Sequence, residues 1–248
     1  MLGIIGGTGL TKLANLEVKH RQLIRTPYGE PSGPLTFGEI GGHLVVFIAR
    51  HGGGHTIPPH MVNYRANVWA LHSEGVRNIV AVATVGGIQP DLKPGTIALP
   101  EQIIDYTSGR KTTYYDGDEQ PVNHIDFTEP YCPNMRNLCK KAAEQAGEVL
   151  HEGGVYAAVQ GPRLETAAEI NRLERDGATM VGMTGMPEAA LARELEISYA
   201  ALCPVANHAA GRGNSLHGIR YEDIGMVLNE TMQRVRNLIE QVVIIHAD

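Results

Sequence analysis

Residues 43 to 71 constrain the fold of this chain more than any other stretch. His43 to Ala49 (HLVVFIA) is a short apolar run, rich in β-branched and aromatic residues and bounded by glycine, which predicts a buried strand rather than a piece of helix. The run stops at Arg50-His51. Gly52 to Gly54 let the backbone turn tightly, and Pro58-Pro59 forces an extended entry to a helix carrying Val62, Ala66, Trp69 and Ala70. A buried strand that hands a charged turn to a helix is the unit of an open α/β sheet, where ligands bind beyond the carboxyl ends of the strands. A guanidinium placed there suits an oxyanion. His51 and His55 are four residues apart but lie across a glycine turn with no nearby Cys or carboxylate, so no metal site is expected.

The same pattern recurs along the chain. Gly3-Ile4-Ile5-Gly6-Gly7-Thr8-Gly9 is a short strand opening into a glycine turn. It fails as a dinucleotide fingerprint, because Lys12 stands where the third glycine would be, and it has no P-loop lysine. What is left is a small nest of backbone N–H groups beside the Thr8 hydroxyl, suited to one phosphate; the bland alternative is a plain glycine turn. Asn78 to Thr84 (NIVAVAT) delivers a second hydroxyl, Thr84, into Val85-Gly86-Gly87. Thr179 to Val181 leads into Gly182-Met183-Thr184-Gly185-Met186-Pro187-Glu188, with Pro187 suited to the first turn of a helix that runs to about Leu195. Ser198 to Ala206 is a further buried strand, with Asn207 expected just past its end.

Further strands are expected at 17–24, 35–40, 96–105 and 154–160, and helices at 59–73, 133–146 and 165–175. Residues 107–133, polar and rich in Tyr, Asp and Gly, read as a long surface loop serving as a lid or subunit contact. The C-terminal stripe Ile224, Val227, Leu228, Met232, Val235, Leu238, Ile239 and Val242 has helical period and reads as core or interface, not as ligand site. Strands alternating with helices predict one α/β domain over 1–248: a mixed, mostly parallel twisted sheet flanked by helices on both faces.

Composition narrows the partners. A net charge of −6 argues against a general nucleic-acid binder, so any anion site must be local. No apolar run is long enough for a membrane span, and the N-terminus lacks the pattern of a signal peptide, so a cytoplasmic location is expected. Cys132, Cys139 and Cys203 are odd in number without CxxC spacing, and read as reduced thiols.

Taken together, GGTGL at 6–10, ARHGGGHTIPPHMVNYRANVWAL at 49–71, ATVGGI at 83–88, GPRLETAAE at 161–169 and MTGMPEAALARE at 183–194 resemble the trimeric purine nucleoside phosphorylase family, over essentially the whole chain. The HTI-P-VNY-AN-WAL pattern is closer to its methylthioadenosine phosphorylase branch. The resemblance implies a homotrimer acting on a purine nucleoside, with inorganic phosphate as co-substrate and no other cofactor. It implies phosphate contacts at Thr8, Arg50, His51, Thr84, Val85 and Thr184, and nucleoside contacts at His55, Met183, Leu164, Glu165, Asn207 and Ala209. Asn207, Glu165 and His51 are the residues expected to act on the reaction.

The base-pocket positions depart from that branch. Where its members carry an aspartate pair in a T-D-Y-D stretch, this chain has Ala206-Asn207-His208-Ala209; where they carry Ser in GPxFST, it has Glu165 in GPRLET, and Leu164 replaces the aromatic. Both Glu165 and Asn207 are similar to the inosine and guanosine branch. A carboxylate accepts an N1–H, as in hypoxanthine, and would face a lone pair on adenine. A site built for one such pattern rejects the other by roughly 10⁴-fold. A first-turn helix charge is the alternative reading of Glu165. The stretch Ile219-Arg220-Tyr221 lacks the histidine with which the inosine branch meets the 5′-hydroxyl, so an apolar 5′ group such as methylthio is expected.

Overall fold

The strand β12 (Ser198–His208) is the hinge of the sheet. Its run SYAALCPVANH shows no alternation, because eight consecutive residues, Tyr199 to Ala206, are buried and both faces are covered. On one side it pairs in parallel with β5 (Asn78–Val82), and further along with β6 (Val85–Gly87); β7 (Ile97–Leu99) pairs with it antiparallel. The computed structural model describes residues 1–117 and 121–247.

Beyond β5 the sheet continues through β1 (Leu2–Gly6), β4 (His43–Ala49), β3 (Leu35–Ile40) and β2 (Glu17–Gln22), the last two antiparallel. Beyond β6 it runs through β11 (Met180–Gly182), β10 (Val155–Ala158) and β8 (Gln102–Asp105), while β9 (Leu150–Glu152) joins β7. The expected mixed, mostly parallel sheet with helices on both faces is present. Ile5, Val46, Ile48, Ile79 and Ala81 face one way, onto α1 (Tyr64–Ser73) and α4 (Gly185–Glu194). Their neighbours Ile4, Val45, Phe47, Val80 and Val82 face the other way, onto α2 (Pro133–Ala146) and α5 (Tyr221–Ala247). That alternation of side chains along each strand is what lets one sheet feed two cores. The helix α3 (Ala167–Arg175) seals a third cluster with Ile88, Ala157 and Val181.

Several boundaries differ from the sequence expectation for physical reasons. Pro58-Pro59 yields a short 3-10 turn, and α1 starts only at Tyr64, where the Asn63 side chain accepts from the Ala66 N–H as a cap. The helix expected from Glu165 begins at Ala167, because Thr166 and Glu169 form a reciprocal capping box. β12 runs on to His208, so Asn207 lies inside the strand, at a bulge against β6, and not past its end. The segment read as a surface loop is pinned along its first part: Glu194 accepts from the Thr113 hydroxyl and the Tyr114 N–H, and Tyr114 is buried. Residues 118–120 of that segment lie outside the described residues. No described helix is long and apolar enough to cross a membrane.

Candidate active site

Three-residue β6 is the hub of the site. Its register sets Gly86 beside Asn207 of β12 on one side and Val181 of β11 on the other. Because β11 runs antiparallel to β6, its carboxyl end arrives at the start of β6. Met183 and Thr184 are thereby delivered next to Thr84 and Val85. The carboxyl ends of β1 and β4 bring Thr8 and Arg50-His51 to the same place, where the Arg50 N–H bonds to the Gly6 carbonyl at 2.9 Å. Gly7 is required by close approach: a Cβ there would lie 2.4 Å from the Val82 oxygen and 2.9 Å from Arg50 Nη1.

These ends enclose a cavity of about 490 Å³. Thr8, Arg50, His51, His55, Thr84, Val85, Leu164, Glu165, Met183, Thr184 and Asn207 all line it. Ala209 does not. It is buried behind the wall in the third core cluster, where its N–H, bonded to the Gly87 carbonyl, continues the pairing of β12 with β6. The expected substrate contact at Ala209 is therefore corrected.

Arg50, expected from sequence as a guanidinium suited to an oxyanion, is 1% exposed and already largely engaged by the protein. Its Nε and Nη2 donate at 2.6 Å to the two carboxylate oxygens of Glu188, and Nη1 donates at 2.8 Å to the Val82 carbonyl. Of five guanidinium N–H groups, two on the terminal nitrogens remain for an anion. Glu188, 0% exposed, also accepts from the Tyr199 hydroxyl at 2.8 Å. Burial alone would lower the Arg50 pKa, but the Glu188 carboxylate outweighs it and the guanidinium is held charged. The sequence reading placed no role on Glu188. The signal that could have found it is physical: an arginine expected at the end of a core strand needs a counter-charge.

His51 is also buried. Its Nδ1 lies 2.8 Å from the Ile57 carbonyl, so that nitrogen carries the proton and donates, leaving Nε2 to the cavity. Burial and the neighbouring Arg50 charge bring its pKa down to about 4, so the ring is neutral near pH 7 and Nε2 is an acceptor. Thr84 donates from its hydroxyl to the Thr8 carbonyl at 3.3 Å. The Thr184 N–H donates to the Tyr156 hydroxyl at 3.3 Å, and a Cβ on Gly182 would sit 2.1 Å from that hydroxyl. Glycine at 182 is what allows the tyrosine to brace this turn.

At the other end of the cavity Asn207 donates from Nδ2 to the His208 carbonyl at 2.7 Å. That bond fixes the amide with Oδ1 turned the other way, leaving one N–H and one carbonyl oxygen for a ligand. Glu165, half-buried, stands two residues before α3, whose first turn instead holds Glu169. The alternative of a first-turn helix charge thus belongs to Glu169, not Glu165. Burial raises the Glu165 pKa. Arg110 clips the surrounding turns together, donating to the carbonyls of Met183 at 2.8 Å, Met186 at 2.6 Å and Gln160 at 3.0 Å.

The apolar wall was missed. Ile57, Pro59, Ile224 and Leu228 line the cavity, with Tyr221 at its rim, so the first turns of α5 serve the site as well as the core. The stripe reads as core because it is core, Ile224 packing against the second cluster and Leu228 lying within it, while both also reach the cavity.

Fold and cavity together describe an α/β protein whose strand ends enclose a cavity, with a buried arginine and three threonines at one end and a carboxylate and a carboxamide at the other. A family model described as the phosphorylase superfamily matches residues 1–244. The chain is 49% identical over 239 residues to a probable S-methyl-5'-thioinosine phosphorylase of Pseudomonas syringae pv. tomato, covering 96% of each chain. It is 48% identical over 215 residues to a 6-oxopurine nucleoside phosphorylase of Pyrococcus furiosus, covering 85% of this chain and 80% of that one. A methylthioadenosine phosphorylase from Schistosoma mansoni, solved with adenine, superposes with a TM-score of 0.94 at 31% identity over 100% of this chain and 92% of that one. The chain belongs to the phosphorylase superfamily.

Proposed function

We propose that the protein catalyses phosphorolysis of a 5′-methylthio purine nucleoside with a 6-oxo base, releasing hypoxanthine and 5-methylthioribose 1-phosphate from S-methyl-5'-thioinosine. The observation that carries this reading is the pairing of Glu165 with Asn207 in one cavity. The carboxylate accepts from N1–H, while the Asn207 N–H donates to O6 and its Oδ1 accepts from a protonated N7. Relatives named for methylthioinosine and for 6-oxopurine nucleosides support the same base. The apolar side chains of Ile57, Ile224 and Leu228 support an apolar 5′ group.

Hydrogen phosphate occupies the buried end. The free N–H groups of Arg50 and the hydroxyls of Thr8 and Thr184 donate to its oxygens, that of Thr84 joins them by turning from its long 3.3 Å bond to the Thr8 carbonyl, and the phosphate's own O–H donates to His51 Nε2. A phosphate oxygen forms the bond to the anomeric carbon while the N9–C1′ bond breaks, its electron pair passing to the purine. The phosphate's proton stays hydrogen-bonded to Nε2 and is lost to water from the sugar phosphate product. Positive charge developing on the sugar faces the phosphate, and charge developing on the purine is met by N7 protonation from solvent, held at Asn207 Oδ1. Met183 and His55 flank the sugar. The reading includes a homotrimer that needs inorganic phosphate and no organic cofactor; sedimentation of the purified protein and assay after exhaustive dialysis test both.

The decisive experiment is phosphate-dependent base release from methylthioinosine, methylthioadenosine, inosine and adenosine at equal concentrations. Methylthioinosine should lead by orders of magnitude. Methylthioadenosine in the lead would overturn the base assignment, and inosine in the lead would overturn the 5′ assignment.

A further inference from the structure

We infer that Glu188 is a positioning residue that sets both the orientation and the charge of Arg50 at the anion end of the cavity. The inference rests on phosphate binding at Arg50.

Glu188 comes from the first turn of α4, four residues beyond Thr184, and so from the same turn that supplies a hydroxyl to the cavity. Both carboxylate oxygens are engaged by Arg50 along its Nε–Nη2 edge, at 2.6 Å each. The Tyr199 hydroxyl donates to one of them from β12, and Tyr131 stacks on Tyr199 with ring centroids 6.1 Å apart. Each of these groups is buried to 3% exposure or less. The guanidinium therefore cannot rotate to offer its Nε–Nη2 edge to an anion, and only its terminal N–H groups reach the cavity.

The charge consequence follows. Arg50 is cancelled by Glu188, and His51, facing Arg50, His55 and Glu188, is neutral, so the phosphate end carries no net charge before phosphate arrives. A dianion is then held by hydrogen bonds from fixed donors rather than by an ion pair. A nucleophile that is not ion-paired keeps more of its charge for the sugar cation that forms opposite it.

The test compares Glu188→Gln and Glu188→Asp with the wild type, measuring melting temperature with and without inorganic phosphate, phosphate affinity, and steady-state kinetics. In Glu188→Gln the buried guanidinium has lost its counter-ion, and phosphate becomes its only anion. Phosphate should then bind about tenfold more tightly and raise the melting temperature by more than it raises that of the wild type, while kcat falls. Glu188→Asp keeps the charge but shortens the reach. It should retain the wild-type phosphate-induced shift and lower kcat, with the nucleoside KM unchanged. If Glu188 only supports the fold, both variants lower the melting temperature by the same amount with and without phosphate, and the inference is overturned. If Glu188→Gln is insoluble, the Glu188→Asp kinetics decide alone: equal losses in kcat with phosphate and nucleoside KM values both shifted would overturn it. Failure of wild-type protein to be stabilised by phosphate at all would instead overturn the phosphate assignment itself.

Discussion

The two ends of the cavity are built by opposite strategies. At the Arg50 end the functional groups stand on core strands or the turns that follow them, and three are braced by neighbours: Arg50 by Glu188, His51 by the Ile57 carbonyl, Thr184 by Tyr156. At the base end only Asn207 sits on a strand. Glu165 and Leu164 come from a half-buried turn before α3, and Tyr221 from the exposed start of α5, 74% exposed. Rigid donors suit an invariant ligand such as phosphate, whereas turns can be exchanged without disturbing the core. Reaction type should therefore be hard to change in this protein and base preference easy.

The largest effect expected is at the rigid end. Arg50→Ala removes the anion donor and leaves Glu188 as an unpaired buried charge, so both activity and stability should collapse, the latter by about 3–5 kcal/mol. Chemical denaturation and kcat/KM measured together check it; loss of activity alone would mean the ion pair is not buried in solution. Asn207→Ala comes next, with kcat expected to fall about 10²- to 10³-fold and nucleoside KM to change far less, since the contact to N7 strengthens as the base departs. An unchanged kcat would remove Asn207 from the chemistry.

Glu165→Gln tests the adaptable end. A carboxamide can donate to adenine N1 where the carboxylate cannot, so turnover of methylthioinosine should fall by about 10²-fold while methylthioadenosine rises, with no loss of thermal stability. Because burial raises the Glu165 pKa, lowering the pH protonates it more readily than an exposed glutamate, and the ratio of methylthioinosine to methylthioadenosine turnover should narrow as pH falls. A pH-independent ratio would mean that Glu165 does not read N1.

The pH dependence of stability separates the two ends again. Folding lowers the His51 pKa from 6.5 to about 4, so between those values the unfolded chain binds a proton that the folded one does not. Stability is thus full above about pH 6.5 and is lost as pH falls toward 4. His51→Asn, whose amide can still donate to the Ile57 carbonyl, should show a shallower acid loss in denaturant titrations at pH 7, 5.5 and 4.5. Parallel curves would mean that the ring is protonated in the fold.

The rigid end was legible in the sequence because a polar residue stranded between an apolar run and glycine has few structural excuses. Thr8, Arg50, His51, Thr84 and Thr184 share that signature and do meet in one cavity. Glu188 was hidden because pairing across 138 residues leaves no local trace. Ala209 was placed by the family resemblance, and the irregularity of β12 between Val205 and Asn207, which hydrophobic alternation does not encode, sets which of these residues faces the cavity. Along α5, the period that places Val235, Leu238 and Val242 in the core also carries Ile224 past the edge of the sheet. Periodicity identifies a face but not what lies opposite it.

That overhang gives the smallest effect. Ile224 is partly buried and meets the cavity from the first turn of α5, while Leu228, one turn on, is 7% exposed and packs into the core cluster as well. Ile224 packs against the margin of the same cluster, so Ile224→Ser alters the 5′ wall at a cost of no more than a few degrees in melting temperature. Replacing an aliphatic contact to a methylthio group with a hydroxyl removes about 1 kcal/mol of discrimination. Methylthioinosine kcat/KM should fall up to about tenfold, while inosine, whose 5′-hydroxyl can bond to the new serine, should hold or improve. Equal losses on both nucleosides would place Ile224 away from the 5′ group and leave Ile57 to define that wall.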